Sequence, residues 1–570
     1  MAMSAKAVEC PFDCIVVTAA NERQARSYDA ELQRRQQLGV LPESTLLVSV
    51  ADPRGARVGS GGGTLNALMA AVSCLRSSRE SNAAWKILCI HSGGDSQRSP
   101  SQSVCGKAWS ALNCVGPGGH CYAPIDLLCL RLFRLCQGLA PGSFVVASCD
   151  VLLMFPDAMD ASVIADGVWG LAIEADQSFG PHHGVYVTGT PGQGGPVTKF
   201  LQKASIPELT EAGALLPDGQ VLVDSGVVAF DEKSTTTLLQ LCSEPPFDGC
   251  VGAAEPFRFE LYSDIMLALG GVLRKEEYLS LPDADKNPAR ARAGRERLWD
   301  RLEKTPFSAV MVPTAKFAHL GTTAELLAAQ TGGIDDPFVR HFGLVPRAFS
   351  HGSPQGEGVC VNSVLVSGDL GAGALVEHCI LRGSWSAGPG ALLSGLRLEQ
   401  QDFHVGPNIA VQQVALGGAV GDNPDVGGTY VLLVFGVQDP IKAQYASSKA
   451  RLCGASWHDI LAALGATPDD IWPAEVSEAD RNLWTARLHP ALQLSTENET
   501  VPLQLPPLLL QTAAIKGPVP AETAESWRLA KRYSLKELLA EASPATEFEW
   551  RQRVAQEVRK LGPDPEWPVV

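Results

Sequence analysis

A chain of 570 residues, 45% apolar and 19% charged, has the make-up of an ordinary globular protein with room for about two to four packed domains. Its net charge of −16 opposes nucleic acid or an anionic membrane as a general partner. The first residues lack a hydrophobic signal core and no apolar run reaches bilayer length, so a cytoplasmic protein is expected. The 15 cysteines are scattered singly, without C-x-x-C pairs, and are expected as buried free thiols.

In chain order, short apolar strands at Cys14–Val17, Leu46–Val50, Lys86–Ile90 and Phe144–Ser148 alternate with helical patterns near 21–38, 64–77 and 121–137. Strands apolar at nearly every position predict a mostly parallel sheet covered on both faces, with ligands at its carboxyl ends. Between about 356 and 400 small turns and aliphatic residues recur at short spacing, as in Val361–Leu381. That pattern fits imperfect rungs of a parallel β-helix, or a glycine-rich β meander. Residues 427–440 return to strand, helical segments dominate after 456, and Val501–Pro507 is expected as a proline-rich linker or turn. The expected division is 12–345, 346–455 and 456–570.

Two glycine-rich segments carry the chemistry. In the first, Val58-Gly-Ser-Gly-Gly-Gly-Thr64 opens into the helical run from Leu65, so the amides of Gly59, Gly61, Gly62, Gly63 and Thr64 are expected to point outward at a helix N-terminus. In the second, His91-Ser-Gly-Gly94 ends an apolar strand and is followed by Arg98 and Lys107. Gly93 and Gly94 let backbone approach anionic oxygens that the two cations reach from the same loop, which suits a nucleoside triphosphate. Neither segment is a P-loop, for want of Gly-Lys-Ser/Thr, and the spacing does not fit G-x-G-x-x-G. Cys105, between the two cations, is read as small-residue filler, with a reactive thiol as the alternative. Asp150, just after a strand, would by itself be read as a helix N-cap.

The segments Val58–Leu68, His91–Leu112, His183–Val187, Phe200–Lys203, Val223–Val227, His319–Glu325, Phe435–Asp439 and Leu483–Arg487, in that order and spacing, resemble the fucose-1-phosphate guanylyltransferase (GDP-L-fucose pyrophosphorylase) family. The resemblance implies an α/β protein: a Rossmann-like nucleotidyltransferase domain, then a short parallel β-helix and a mainly helical C-terminal region. It further implies GMP transfer from GTP to β-L-fucose 1-phosphate with Mg2+, Arg98 and Lys107 acting on the triphosphate and Asp150 holding the metal. Lys203 would hold the sugar phosphate, although its segment lacks the glutamate and proline of distant relatives. His183, Gly184, Asp224 and Gly226 would wall the sugar pocket. His319 would bind a phosphate or orient Asp150, with Asp224 as an alternative second carboxylate, since histidine is a poor Mg2+ ligand. By analogy with other pyrophosphorylases the rungs could join copies of the chain into a homo-oligomer. Two other activities compete: a sugar-nucleotide-binding regulatory protein on the same fold, which the intact Arg98, Lys107, Asp150 and Lys203 oppose, and a fucokinase, for which the chain has no small-molecule-kinase phosphate loop.

Overall fold

Strand β1 (Cys14–Ala19) is buried along its whole length because its side chains are small, β-branched or apolar and neither face suits water. The computed structural model describes residues 9–79, 84–116, 119–155, 166–332, 336–398, 402–417, 429–493, 509–516 and 519–562; the expected linker Val501–Pro507 lies outside them. After β1 come α1 (Glu22–Gln37), with its first amides held by the Asn21 side chain, then β2 (Leu46–Ala51), α2 (Gly59–Ser78), β3 (Ile87–His91), α3 (Pro124–Leu135) and β4 (Phe144–Ser148). Strands β2, β1, β3 and β4 lie side by side, all parallel.

The sheet continues through β5 (Val168–Asp176), β6 (Gly184–Thr188), β7 (Gly195–Gln202), β8 (Gln220–Phe230) and β9 (Phe307–Met311), in the order β2-β1-β3-β4-β8-β5-β9-β7-β6. Here the expectation of a mostly parallel sheet is corrected. Strand β8 runs antiparallel to both β4 and β5, and β7 antiparallel to β9 and β6; only β9 with β5 is parallel. Parallel neighbours need crossover connections, and between β5 and β8 the described residues hold one α-helix, the short Ile206–Glu211.

Contacts within the chain group into two units that do not follow chain order. One takes Ser4–Gly94 and Pro124–Ala318, and so holds the nine-stranded sheet; the other takes Asp95–Ala123 and His319–Val570. In the second unit, short strands, all but one of two or three residues, stack in three parallel ladders. The first runs from Arg347–Ala348 through Val359–Val361, Leu375–Glu377 and Leu392–Ser394 to Ile409–Ala415. The second links Gln355–Gly356, Asp369–Leu370, Trp385–Ala387 and Phe403–Val405, and the third Val364–Val366, Ile380–Arg382 and Arg397–Leu398. Val359, Leu375 and Leu392 lie in register from turn to turn and are buried in one continuous core. The first ladder then turns antiparallel, through Thr429–Gly436 and His489–Gln493 to Arg532–Tyr533. Two of the segments quoted for the family resemblance prove structural here. Asp439 accepts the amides of Gly436, Cys453 and Gly454, and Arg487 pairs with Glu537 at 2.6 Å.

The last described helix, Pro544–Leu561, buries Glu547, whose Oε1 accepts the Ala415 amide at 2.8 Å. Burial pushes this carboxyl from 4.5 up to about 7, against the opposing pull of that amide and of Arg551. A carboxyl with a raised pKa in the folded state binds its proton more tightly when folded. Its contribution to stability is therefore full below pH 4.5 and lost as pH rises through about 7. Glu547→Gln, which keeps the acceptor and removes the charge, should flatten that loss; thermal melts at about pH 5 and about pH 8 test it, and an unchanged slope would assign the titration elsewhere.

Candidate active site

Several of the sequence-selected residues gather at the carboxyl ends of β1, β3 and β4. Thr18 Oγ1, near the end of β1, accepts the amides of Ser92 and Gly93 at 3.1 and 3.0 Å, which turns the chain as it leaves β3. A Cβ on Gly93 would crowd that oxygen at 3.2 Å, and Gly94, at φ +106°, takes a backbone conformation that favours glycine. After β4, Ser148 Oγ donates to Asp150 Oδ1 at 2.5 Å. Asp150 is half-buried at the strand end, where the sequence put it.

Strand β8 is bulged between Asp224 and Val228, and Gly226, with φ +83°, brings the bulge against Ser148. Asp224 is buried and accepts the Tyr186 hydroxyl at 2.6 Å and its own Gly226 amide at 3.3 Å. Burial lifts its carboxyl from 3.8 to about 6, opposed by hydrogen bonds from Tyr186, Gly226 and Tyr262. The Tyr262 hydroxyl, pushed well up by burial and by Asp224, also senses the charge of Asp150. Asp150, Asp224, Ser148 and Tyr262 therefore present oxygen only. That chemistry suits a hard dication taking few protein ligands and completing its shell with water and ligand oxygens. Among the described residues no three His, Cys, Asp or Glu side chains gather into a metal cluster.

His183 stacks on Phe179 and meets Phe317 edge-on, at ring distances of 5.9 and 5.2 Å. Its carbonyl accepts the amide of Lys203, an exposed residue held at φ +52° just past β7. Gly184 is required by packing, since a Cβ there would lie 2.7 Å from the Phe200 ring.

The reading of Val58–Thr64 as a loop is corrected. Helix α2 already begins at Gly59, and its early amides are taken: Ser60 N and Oγ donate to Glu260 Oε2, and Gly61 N and Gly62 N to the Phe259 carbonyl. The chain thus supplies its own anion at this helix N-terminus. The glycines serve close packing, since a Cβ on Gly59 would strike the Phe259 carbonyl, one on Gly61 the Phe259 ring, one on Gly62 Val58, and one on Gly63 would press on His91. Thr64 Oγ1 donates to the Ser60 carbonyl, so at 3.0 Å from His91 Nε2 it accepts that nitrogen's proton. Burial pushes the His91 imidazole down to about 4, which keeps it neutral.

The two cations belong to the other unit. The Arg98 carbonyl accepts the amide of Thr323, in the first turn of the helix Thr323–Thr331, while its side chain is exposed. Lys107 opens a single 3-10 turn, Lys107–Trp109, entered through Gly106 at φ +81° and closed by Ser110, whose N and Oγ both donate to the Lys107 carbonyl. Cys105 is buried, as filler would be. His319 Nδ1 lies 3.2 Å from Glu325 Oε2, which also accepts the Thr322 hydroxyl. Burial alone would raise Glu325, but His319 and Thr322 hold its carboxyl down at about 2. His319 thus joins the capping of that helix, a contact the sequence reading did not include.

Comparison with known proteins gives the family. The family described as "Fucose pyrophosphorylase domain" matches residues 80–494. The chain belongs to that family. Among curated proteins it is similar to the bifunctional fucokinase/GDP-fucose pyrophosphorylase of Arabidopsis thaliana, 26% identical over 574 residues that cover 92% of this chain and 50% of that protein, so the chain spans half that relative's length. It is also similar to the fucose-1-phosphate guanylyltransferases of mouse, 26% identical over 86% of each chain, and of human, 25% identical over 87% of this chain and 84% of that one. Within a family so named, the residues missed in the sequence are informative. Tyr186 lay inside a quoted motif and on a strand, where alternation could have paired it with Asp224. Tyr262 and Glu260 follow no local pattern.

Proposed function

We propose that this chain transfers GMP from GTP to β-L-fucose 1-phosphate, giving GDP-L-fucose and pyrophosphate. The observation that carries the reading is the family match over 80–494, joined by the two guanylyltransferases that align along most of both chains. On this reading the nine-stranded sheet is a Rossmann-like nucleotidyltransferase domain and the three ladders are a short parallel β-helix. The sugar 1-phosphate oxygen forms a bond to the α-phosphorus of GTP as the bond to pyrophosphate breaks in line, with no covalent enzyme intermediate. Lys107 neutralises charge on the α-phosphate and Arg98 on the leaving pyrophosphate, while Gly93 and Gly94 let backbone near the nucleotide. Asp150 would hold Mg2+, which would supply positive charge to offset that of the phosphates. Lys203 takes the sugar phosphate, and Asp224, Gly226, His183 and Gly184 wall the sugar, the Asp224–Tyr186 pair being suited to orienting a hydroxyl. His319 binds a phosphate or orients Asp150. Substrates of this kind and 15 free thiols suit a reducing cytoplasm, and no helix among the described residues is long and apolar enough to cross a membrane.

The test is an assay of pyrophosphate release. GTP with fucose 1-phosphate and Mg2+ should release it, GTP alone should not, and ATP with free fucose should yield no ADP. Labelled pyrophosphate should enter GTP only when the sugar phosphate is present. ADP from ATP and fucose would replace this reading by a kinase, and exchange without sugar phosphate would replace the single displacement by a guanylyl-enzyme.

A further inference from the structure

The turn that carries Lys107 is gripped from far along the chain. Arg551, on the helix Pro544–Leu561, donates from Nη1 to the Trp109 carbonyl at 2.6 Å. The buried Trp109 ring meets Phe548 edge-on at 6.0 Å, and the Arg551 guanidinium lies 5.3 Å from the centre of that same Phe548 ring. The helix is fixed in turn to the ladders, for Asn362 Nδ2 donates to the Arg551 carbonyl, Trp550 Nε1 donates to the His378 carbonyl, and Glu547 accepts the Ala415 amide. Further back on the same loop, Gln412 Nε2 donates to the Ser101 carbonyl. A charge-assisted bond to one end of a three-residue turn constrains the other end, because the turn is already closed on the Lys107 carbonyl by Ser110.

We infer that Arg551 is a positioning residue for Lys107: through the Trp109 carbonyl it fixes the turn that aims the lysine, and so makes the C-terminal helix part of the active machinery. The inference rests on the function proposed above. A misplacement of about 1 Å in a charge contact can cost about a hundredfold in rate, so removing the clamp should cost about ten- to a hundredfold in kcat. KM for fucose 1-phosphate, which Lys107 does not touch, should stay put.

The experiment is a double-mutant cycle on the full chain, comparing wild type, Arg551→Ala, Lys107→Ala and the double variant, each assayed well below its melting temperature and normalised to folded protein. The expected result is strong non-additivity: Arg551→Ala lowers kcat in the wild-type background and costs almost nothing further once Lys107 is gone. Arg551→Lys, which can still donate to the carbonyl, should recover most of the loss, and Arg551→Met, which keeps the packing on Phe548 but has no donor, takes the place of the alanine variant in the cycle if that one fails to fold. Equal losses in both backgrounds, or wild-type kcat in Arg551→Ala, would overturn the positioning role alone. A wild-type chain without turnover of GTP and fucose 1-phosphate would overturn the proposed function and this inference with it.

Discussion

Lys107→Ala should lower kcat/KM for GTP by about a hundred- to a thousandfold, the scale for losing one preorganised charge contact made in the transition state. The reason lies in the chemistry of in-line displacement at phosphorus, where little covalent work is asked of the protein and charge redistributed over the α-phosphate must be met by a cation already in place. The turn itself should survive, since it is closed by the Ser110 amide and hydroxyl on the Lys107 carbonyl, neither of which involves the lysine side chain. Thermal melting should therefore hardly move. Lys107→Arg is not expected to restore full rate, because a planar guanidinium differs in size and reach from an ammonium. Steady-state kinetics beside a melting curve decide the matter, and near-normal turnover in the alanine variant would return Lys107 to the solvated surface.

What the sequence could reveal was local. The strands β1, β3 and β4 are legible because unbroken apolar runs suit only a sheet covered on both faces, and Asp150 falls at a strand end by counting alone. Short strands recurring between about 356 and 400 were legible from the small turns and aliphatic residues, and the parallel ladders extend from Arg347–Ala348 to Ile409–Ala415, beyond that span at both ends. The start of α2 was not legible. Glycine is a poor helix former, so Gly59–Gly63 reads as a loop, and what makes it helix is tertiary: Phe259 and Glu260 supply the acceptors for its first amides and a surface too close for any Cβ. The antiparallel half of the sheet was missed for a related reason, since an apolar strand does not record the direction of its neighbour. The Arg551–Trp109 bond joins residues with no shared pattern and arises only from the fold. Catalytic candidates were thus easier to find than the residues that hold them.

Asp150→Asn should abolish Mg2+-dependent turnover, a loss of at least about a thousandfold, while leaving the chain folded. Asparagine keeps the size of the side chain and still offers Ser148 Oγ an acceptor in place of Oδ1, so the strand end need not rearrange. The charge is what goes. Its neighbours do not replace it readily: Asp224 is buried under the Tyr186 and Gly226 donors with its carboxyl raised to about 6, which leaves it less willing than a free carboxylate to bear negative charge. Titrating Mg2+ against the GTP complex by calorimetry should show weaker binding in the variant, and high Mg2+ should recover a small part of the rate. Ser148→Ala, which removes only the hydroxyl beside the carboxylate, should cost far less. If Asp150→Asn instead unfolds the protein while specific activity per folded molecule stays unchanged, the carboxylate serves the strand end and the metal must be held elsewhere.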